Sequence, residues 1–305
     1  MDSLCEIDSM DHILISILMP VYNGAPYIKN ALDSVLAQSA KGIDIFISDN
    51  GSTDETSSII AAYMAKDHRI RAVRHTKMMS AGDNFCFCLE NCIGKYYLLL
   101  AHDDKLVPGF IEKAMAILEK HGEIIGVFSK VRTENYITGE VTYFTPPNLV
   151  GCNVVNLFSN YLKHISPSFV YSIFRSDYIF LHKEIFQRYY DWGDCVFVYN
   201  ALKYGELFVF NEVFYTAGVC DIVRHHITTR KDDRLNFEYL PFLFNGSLSI
   251  LSNKKMSFLS KIRILLLHIN VVTAFFLGNE KVGKIYTLFV RIIHKITSFL
   301  NKLLN

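Results

Sequence analysis

The chain has 305 residues, 50% hydrophobic and 20% charged, which excludes a disordered or fibrous protein and leaves room for one large domain or a domain with an appendage. Its net charge of +1 is unevenly spread: from Asn253 onward nine Lys/Arg face a single acid, Glu280, so this tail carries +8 and the remainder −7. A mildly acidic body argues against nucleic acid as a main partner, and seven cysteines without a CxxC pair (5, 86, 88, 92, 152, 195 and 220) argue for a reducing cytoplasm over a zinc site or disulfide framework.

Residues 1–11 read as a disordered extension, and the acids Asp2, Glu6, Asp8 and Asp11 are unlike the basic start of a secretory signal. The apolar run Ile13 to Met19, ended by Pro20 and the turn-forming Asn23-Gly24, predicts a strand buried on both faces. Pro26 suits the first turn of a helix, and Ile28, Ala31, Leu32, Val35 and Leu36 then recur at the three/four spacing of one buried face. A second strand, Ile43 to Ser48, is followed by the turn Asp49-Asn50-Gly51 and by Ser52 with Glu55 three residues on, the pattern of a capping box for a helix faced by Ile59, Ile60 and Tyr63. A strand at Ile70 to Val73, a helix from about Asn84 to Cys92 and the apolar run Tyr96 to Leu100 continue the order. After His102-Asp103-Asp104, Pro108 opens a helix faced by Phe110, Ile111, Ala114, Ile117 and Leu118. Strand and helix in alternation predict an α/β fold, a Rossmann-like, mostly parallel sheet flanked by helices.

From Gly122 the pattern loosens. Ile124 to Phe128 predicts a strand, Thr145 to Asn148 a loop, and aromatics break the periodicity until about Gly218. The expected division is a nucleotide-binding half over 12–125, an acceptor-binding half over 126–252, and a helical basic and apolar tail over 253–305.

Ligands of open α/β sheets bind at the carboxyl ends of strands, where three polar clusters fall: Val21-Tyr22-Asn23, Asp49 to Ser52, and His102-Asp103-Asp104. Adjacent carboxylates after a buried strand are costly without compensation, and their oxygens suit Mg²⁺ or Mn²⁺ bridging to phosphate. A lone Asp pair reads equally as a cap for the next helix; the other two clusters favour the metal. Asp49 suits hydrogen bonding to a ribose or a plain Asx turn, and Cys88 with Cys92 suits packing more than metal binding.

Met19-Pro-Val-Tyr-Asn-Gly24, Asp49-Asn-Gly-Ser-Thr-Asp54 and Leu100-Ala-His-Asp-Asp104 together resemble glycosyltransferase family 2 over roughly residues 12 to 125, with a weaker echo to about 225. The resemblance implies a GT-A fold and transfer of a sugar, with inversion, from a nucleoside-diphosphate sugar to a glycan or lipid-linked acceptor in cell-surface polysaccharide synthesis. It implies that Pro20, Val21, Tyr22, Asn23 and Asp49 contact the nucleotide, and that Asp103 contacts ribose and, with Asp104, binds Mn²⁺ or Mg²⁺. Many members have a further acid where this chain has Ala101. Asp83-Asn84 stands where the family commonly has Arg-Asn, so Asn84 carries over as a donor-site residue, with a helix N-cap as its other reading.

Asp191-Trp192-Gly193-Asp194 resembles the segment that supplies the family's catalytic base, with Gly193 in place of a Glu. Asp194 is the expected base and Asp191 the fallback; an N-cap is the other reading for Asp194, and Trp192 suits a sugar subsite or packing. Arg224-His225-His226 could close on a diphosphate or form a solvated loop. A nucleotidyltransferase would ordinarily show a Gly-rich basic loop after strand one, and an inactive membrane-bound scaffold stays open on Ala101 and Gly193.

In the tail, apolar residues from Ile285 to Leu304 form a three/four stripe interleaved with Lys284, Arg291, Lys295 and Lys302. This pattern predicts a helix lying on an anionic membrane surface or docked on the domain, and a peripheral position on the cytoplasmic face of the membrane. The uncharged run from Ile264 to Asn279 is shorter than the ~20 apolar residues of a spanning helix.

Overall fold

The computed structural model describes residues 14–151, 157, 167–188, 197–198, 200–219, 250–251, 253–254, 256–262 and 264–265. Its first half alternates strand and helix: β1 (Ile15–Val21), α1 (Ile28–Leu36), β2 (Ile43–Asp49), α2 (Thr56–Met64), β3 (Ile70–Arg74), α3 (Ala81–Glu90) and β4 (Tyr96–Leu99). All residues of β1, β2 and β4 are buried, as strands covered by helices on both faces must be. Helix α1 buries Ile28, Ala31, Leu32 and Val35, the face expected from its spacing.

The second half contributes β5 (Lys105–Leu106), α4 (Phe110–Lys120), β6 (Ile124–Asn135), β7 (Val141–Phe144), β8 (Ile173–Arg175), α5 (Ile179–Arg188) and β9 (Glu206–Val219). The described strands form one sheet in the order β3-β2-β1-β4-β8-β6-β9-β5, with β7 paired to β6. β3, β2, β1 and β4 run parallel, β8 is antiparallel to both β4 and β6, and β9 is parallel to β6 and antiparallel to β5. Among the described residues one apolar core runs from Ile15 through Phe128 and Phe174 to Tyr215, so the first and second halves share one sheet and one core.

Three elements differ from expectation. The strand expected at Ile124 to Phe128 continues to Asn135, and β9 extends the region left without periodicity into 14 residues of strand. Their alternation is blurred because the β6–β9 ladder contains register shifts, between Ser129 and Lys130 among others, that change which face a residue presents. β5 was not anticipated: two residues suffice because β9 lies ready to pair with them. No helix among the described residues is long and apolar enough to cross a membrane. Residues 1–13 and 266–305, and with them the expected extension and the amphipathic stripe, lie outside the described residues.

Candidate active site

β1 and β2 end side by side, with Val21 paired to Asp49. Beyond β1 the chain turns through Asn23 at φ 50°, a left-handed conformation that asparagine tolerates. Three successive amides then donate into the β2–α2 loop: Asn23 N to Ser52 Oγ at 2.9 Å, Gly24 N to Thr56 Oγ1 at 2.8 Å and Ala25 N to Asp54 Oδ2 at 3.1 Å. In return Asn23 Oδ1 accepts from Thr53 N at 2.8 Å. The two loops are therefore zipped together, with Pro20 and Val21 buried beneath them and Tyr22 and Asn23 exposed at the surface.

The Ser52–Glu55 capping box is not formed. Helix α2 begins at Thr56 with Glu55 as an N-cap that makes no side-chain bond, and Asp54 Oδ1 accepts from Thr56 N at 3.0 Å instead. Ser52 is engaged across the loops, so a tertiary donor has displaced the local one. Burial pushes the Asp54 carboxyl up, but hydrogen bonds from Thr56 and Ala25 outweigh it and hold the group below its ordinary range.

Asp49 is 1% exposed, and its carboxylate accepts from Ser52 N at 2.9 Å and from Ser57 Oγ at 2.5 Å. The Asx-turn reading thus describes its local geometry, which shapes the β2–α2 loop. Neighbouring Asn50 clamps both backbone groups of Met79, accepting from its N at 2.9 Å and donating to its carbonyl at 3.0 Å, and this fastens the β3–α3 loop to the same site.

Asn84 is not a helix cap. Ser80 caps α3, its hydroxyl accepting from Asp83 N at 3.1 Å, while Asn84 is buried within the helix and accepts from Ser48 Oγ at 2.6 Å. Its amide also donates to the Ser48 carbonyl at 3.2 Å, so Asn84 holds the carboxyl end of β2 from beneath.

Leu100 N donates to Leu18 O at 3.0 Å, which brings the end of β4 beside β1 and places His102-Asp103-Asp104 next to the zipped loops. The half-buried ring of His102 rests on Gly24, where an added β-carbon would lie 2.6 Å from His102 Cδ2. Burial lowers the imidazole pKa against the raising influence of Asp103 and Asp54.

The two acids differ sharply. Asp104 is buried, accepting from the Tyr215 hydroxyl and, at 2.8 Å, from Gly218 N. Burial and the Asp103 charge push its pKa up to about 8, against those two hydrogen bonds. Asp103 is half-buried. Its carbonyl accepts from the Tyr136 hydroxyl at 2.8 Å, and Tyr136 stacks on Tyr27 with ring centroids 5.1 Å apart. A β-carbon on Gly218 would collide with that same carbonyl, so β9 approaches the loop only because residue 218 is glycine. Neither acid caps α4, which begins at Phe110 after Gly109 at φ 86°.

The oxygen donors present fit a cation shared with a substrate and not a protein-built cage. Asp103 is the carboxylate at the loop surface, Asp104 already carries two donors, and no group of three or more His, Cys, Asp or Glu suited to a metal occurs among the described residues. Burial raises the thiols of Cys86 and Cys88, consistent with packing. Asp191, Trp192, Asp194 and Arg224-His225-His226 lie outside the described residues. Sequence reasoning missed Ser52, Thr53, Asp54 and Thr56 as loop clamps, although a run of short polar side chains between strand and helix was the available signal.

The family pattern described as Glycosyl transferase family 2 matches residues 16–189. An uncharacterized glycosyltransferase of Rickettsia prowazekii (strain Madrid E) is 39% identical over 107 residues, 35% of this chain and 32% of that protein. Glycosyltransferase GlyG of Streptococcus pneumoniae serotype 4 is 27% identical over 113 residues, 37% of this chain and 38% of that protein. Each match thus spans less than two fifths of the relative's length. Among solved structures, S. aureus TarS 1-349 in complex with UDP-GlcNAc superposes with a TM-score of 0.70 over 89% of this chain and 76% of that one, at 18% identity. Strand-end loops in the expected order, a sheet of matching fold and a family pattern covering more than half of the residues agree: the chain belongs to glycosyltransferase family 2 and has its GT-A fold.

Proposed function

We propose that the protein is a metal-dependent glycosyltransferase that moves a hexose or similar sugar from a nucleoside diphosphate to a glycan or lipid-linked acceptor, with inversion, in cell-surface polysaccharide synthesis. The observation that carries this reading is the convergence of three loops at the carboxyl ends of β1, β2 and β4, zipped by the amides of Asn23, Gly24 and Ala25.

Tyr22 and Asn23, exposed above buried Pro20 and Val21, would meet the nucleoside, with Asp49 and Asn84 holding the β2 end that supports them. Asp103 would hold Mn²⁺ or Mg²⁺ against the donor diphosphate, and Asp104 would keep the Asp103 loop on β9. When bound, the cation supplies positive charge that offsets the charge developing on the diphosphate. Asp194 would take the proton of the acceptor hydroxyl. The oxygen then bonds to the anomeric carbon as the bond to the diphosphate breaks, and the electron pair leaves with the nucleoside diphosphate.

The donor bound by TarS places UDP-GlcNAc first in a panel of nucleotide sugars. Purified protein with Mn²⁺ or Mg²⁺ is expected to release free nucleotide in the presence of an acceptor. Because the described residues provide few ligands of their own, the cation should bind measurably only when nucleotide is present. Absence of both turnover and metal-enhanced nucleotide binding across the panel would remove the enzyme reading.

A further inference from the structure

We infer that His102 is a positioning residue for the donor, locking the Tyr22–Ala25 loop onto the segment that bears Asp103. The inference rests on the proposed donor site and goes beyond it, because His102 need not touch the substrate.

The first loop is tied to the second by the amides of Asn23, Gly24 and Ala25. His102 supplies a contact with the third. Its ring fills the space that a side chain at position 24 would need, with Cδ2 only 2.6 Å from a β-carbon built there. The ring also faces the backbone of Pro20, which has a carbonyl to accept from an imidazole N–H and no N–H of its own. Asp103 and Asp54 lie close enough to act on the ring electrostatically, and Asp54 is itself the acceptor for Ala25 N. His102 thus touches the base of the loop at Pro20 and its middle at Gly24, while its own backbone precedes Asp103. Tyr136 holds Asp103 from beyond, through its carbonyl. With the backbone of Asp103 held on both sides, its carboxylate has less freedom to lose when it reaches a shared cation.

Two substitutions separate this role from simple packing. His102→Leu keeps bulk and removes the ring N–H, whereas His102→Gln keeps an N–H donor. Calorimetry with UDP and Mn²⁺ should show His102→Leu binding weaker by roughly tenfold to a hundredfold, the scale of misplaced binding groups, with His102→Gln recovering most of it. In nucleotide-free protein, hydrogen exchange at Asn23, Gly24 and Ala25 should quicken in His102→Leu while the amides of β1 and β2 keep their protection. If His102→Leu does not fold, His102→Phe keeps an aromatic ring over Gly24 without the N–H and should weaken UDP binding similarly. Unchanged binding and unchanged exchange in these variants would overturn the inference. Faster loop exchange in a protein whose wild type binds no nucleotide would leave His102 as a loop anchor and overturn the donor-site reading.

Discussion

Asp103 and Asp104 are adjacent in sequence yet meet opposite surroundings. Asp104 is buried between the Tyr215 hydroxyl and Gly218 N, while Asp103 is half-buried at the loop surface. Asp103→Asn is therefore expected to weaken metal-dependent nucleotide binding by roughly tenfold or more, the scale on which metal-site substitutions act. Asp104→Asn, which retains an oxygen for Gly218 N, should change it far less. Asp194→Asn should leave donor binding intact and abolish transfer; binding titrations and a transfer assay on the three variants check the assignment, and transfer at the wild-type rate would exclude Asp194 as the base. A pH signature accompanies Asp104. Its folded pKa of about 8 lies above the ordinary 3.8, so the neutral acid is the form favoured by folding. The stability it contributes is complete below pH 4 and is lost as pH rises through 8. The denaturation midpoint of the wild type should therefore fall more between pH 5 and pH 8.5 than that of Asp104→Asn.

At the scale of elements, helix starts were read from local pattern and were decided by neighbours. Ser52 with Glu55 matched a capping box, but the Asn23 amide reaches the Ser52 hydroxyl first. Asn84, expected as a helix cap or a donor-site residue, caps no helix: it is buried against Ser48 of β2, while Ser80 four residues earlier caps α3. The distinction is measurable. Ser80→Ala removes one exposed cap and should cost about 1 kcal/mol in chemical denaturation. Asn84→Ala removes the buried partner of Ser48, whose hydroxyl keeps the half-buried His75 imidazole at 2.9 Å, and should cost about 1–3 kcal/mol. Equal costs would mean that Asn84 is not the buried partner described.

Across the described residues, one sheet joins the regularly alternating first segment to the second, where the periodicity is lost. The β9 strand carries Tyr215 and Gly218 to the Asp103-Asp104 loop, so the second half supports a loop whose motif lies in the first. The basic, apolar tail beyond Lys254 stands apart in composition, with nine Lys/Arg to one acid from Asn253 onward. Such a stripe favours an anionic lipid surface. Truncation after Leu265, which keeps the buried Met256 and Ile264 of the domain core, is expected to move the protein from the membrane fraction to the supernatant on fractionation. An unchanged distribution would instead support docking of the tail on the domain.

Buried apolar runs at β1, β2 and β4, helical spacing in α1 and α4, and polar clusters after three strands were legible because each is a short-range pattern repeated along the chain. These determined the fold class, the family resemblance and the candidate donor loops. The β5–β9 pairing, the partners of Asp104, the exchange of Ser52 from cap to clamp and the seating of His102 on Gly24 were decided by the tertiary structure. Each joins residues from 29 to 114 positions apart or more than one element, and no local periodicity records which donor reaches a given acceptor. The identity of Asp103 as the acid at the loop surface follows from that long-range pairing, because only the arrival of Tyr215 and Gly218 distinguishes it from its neighbour.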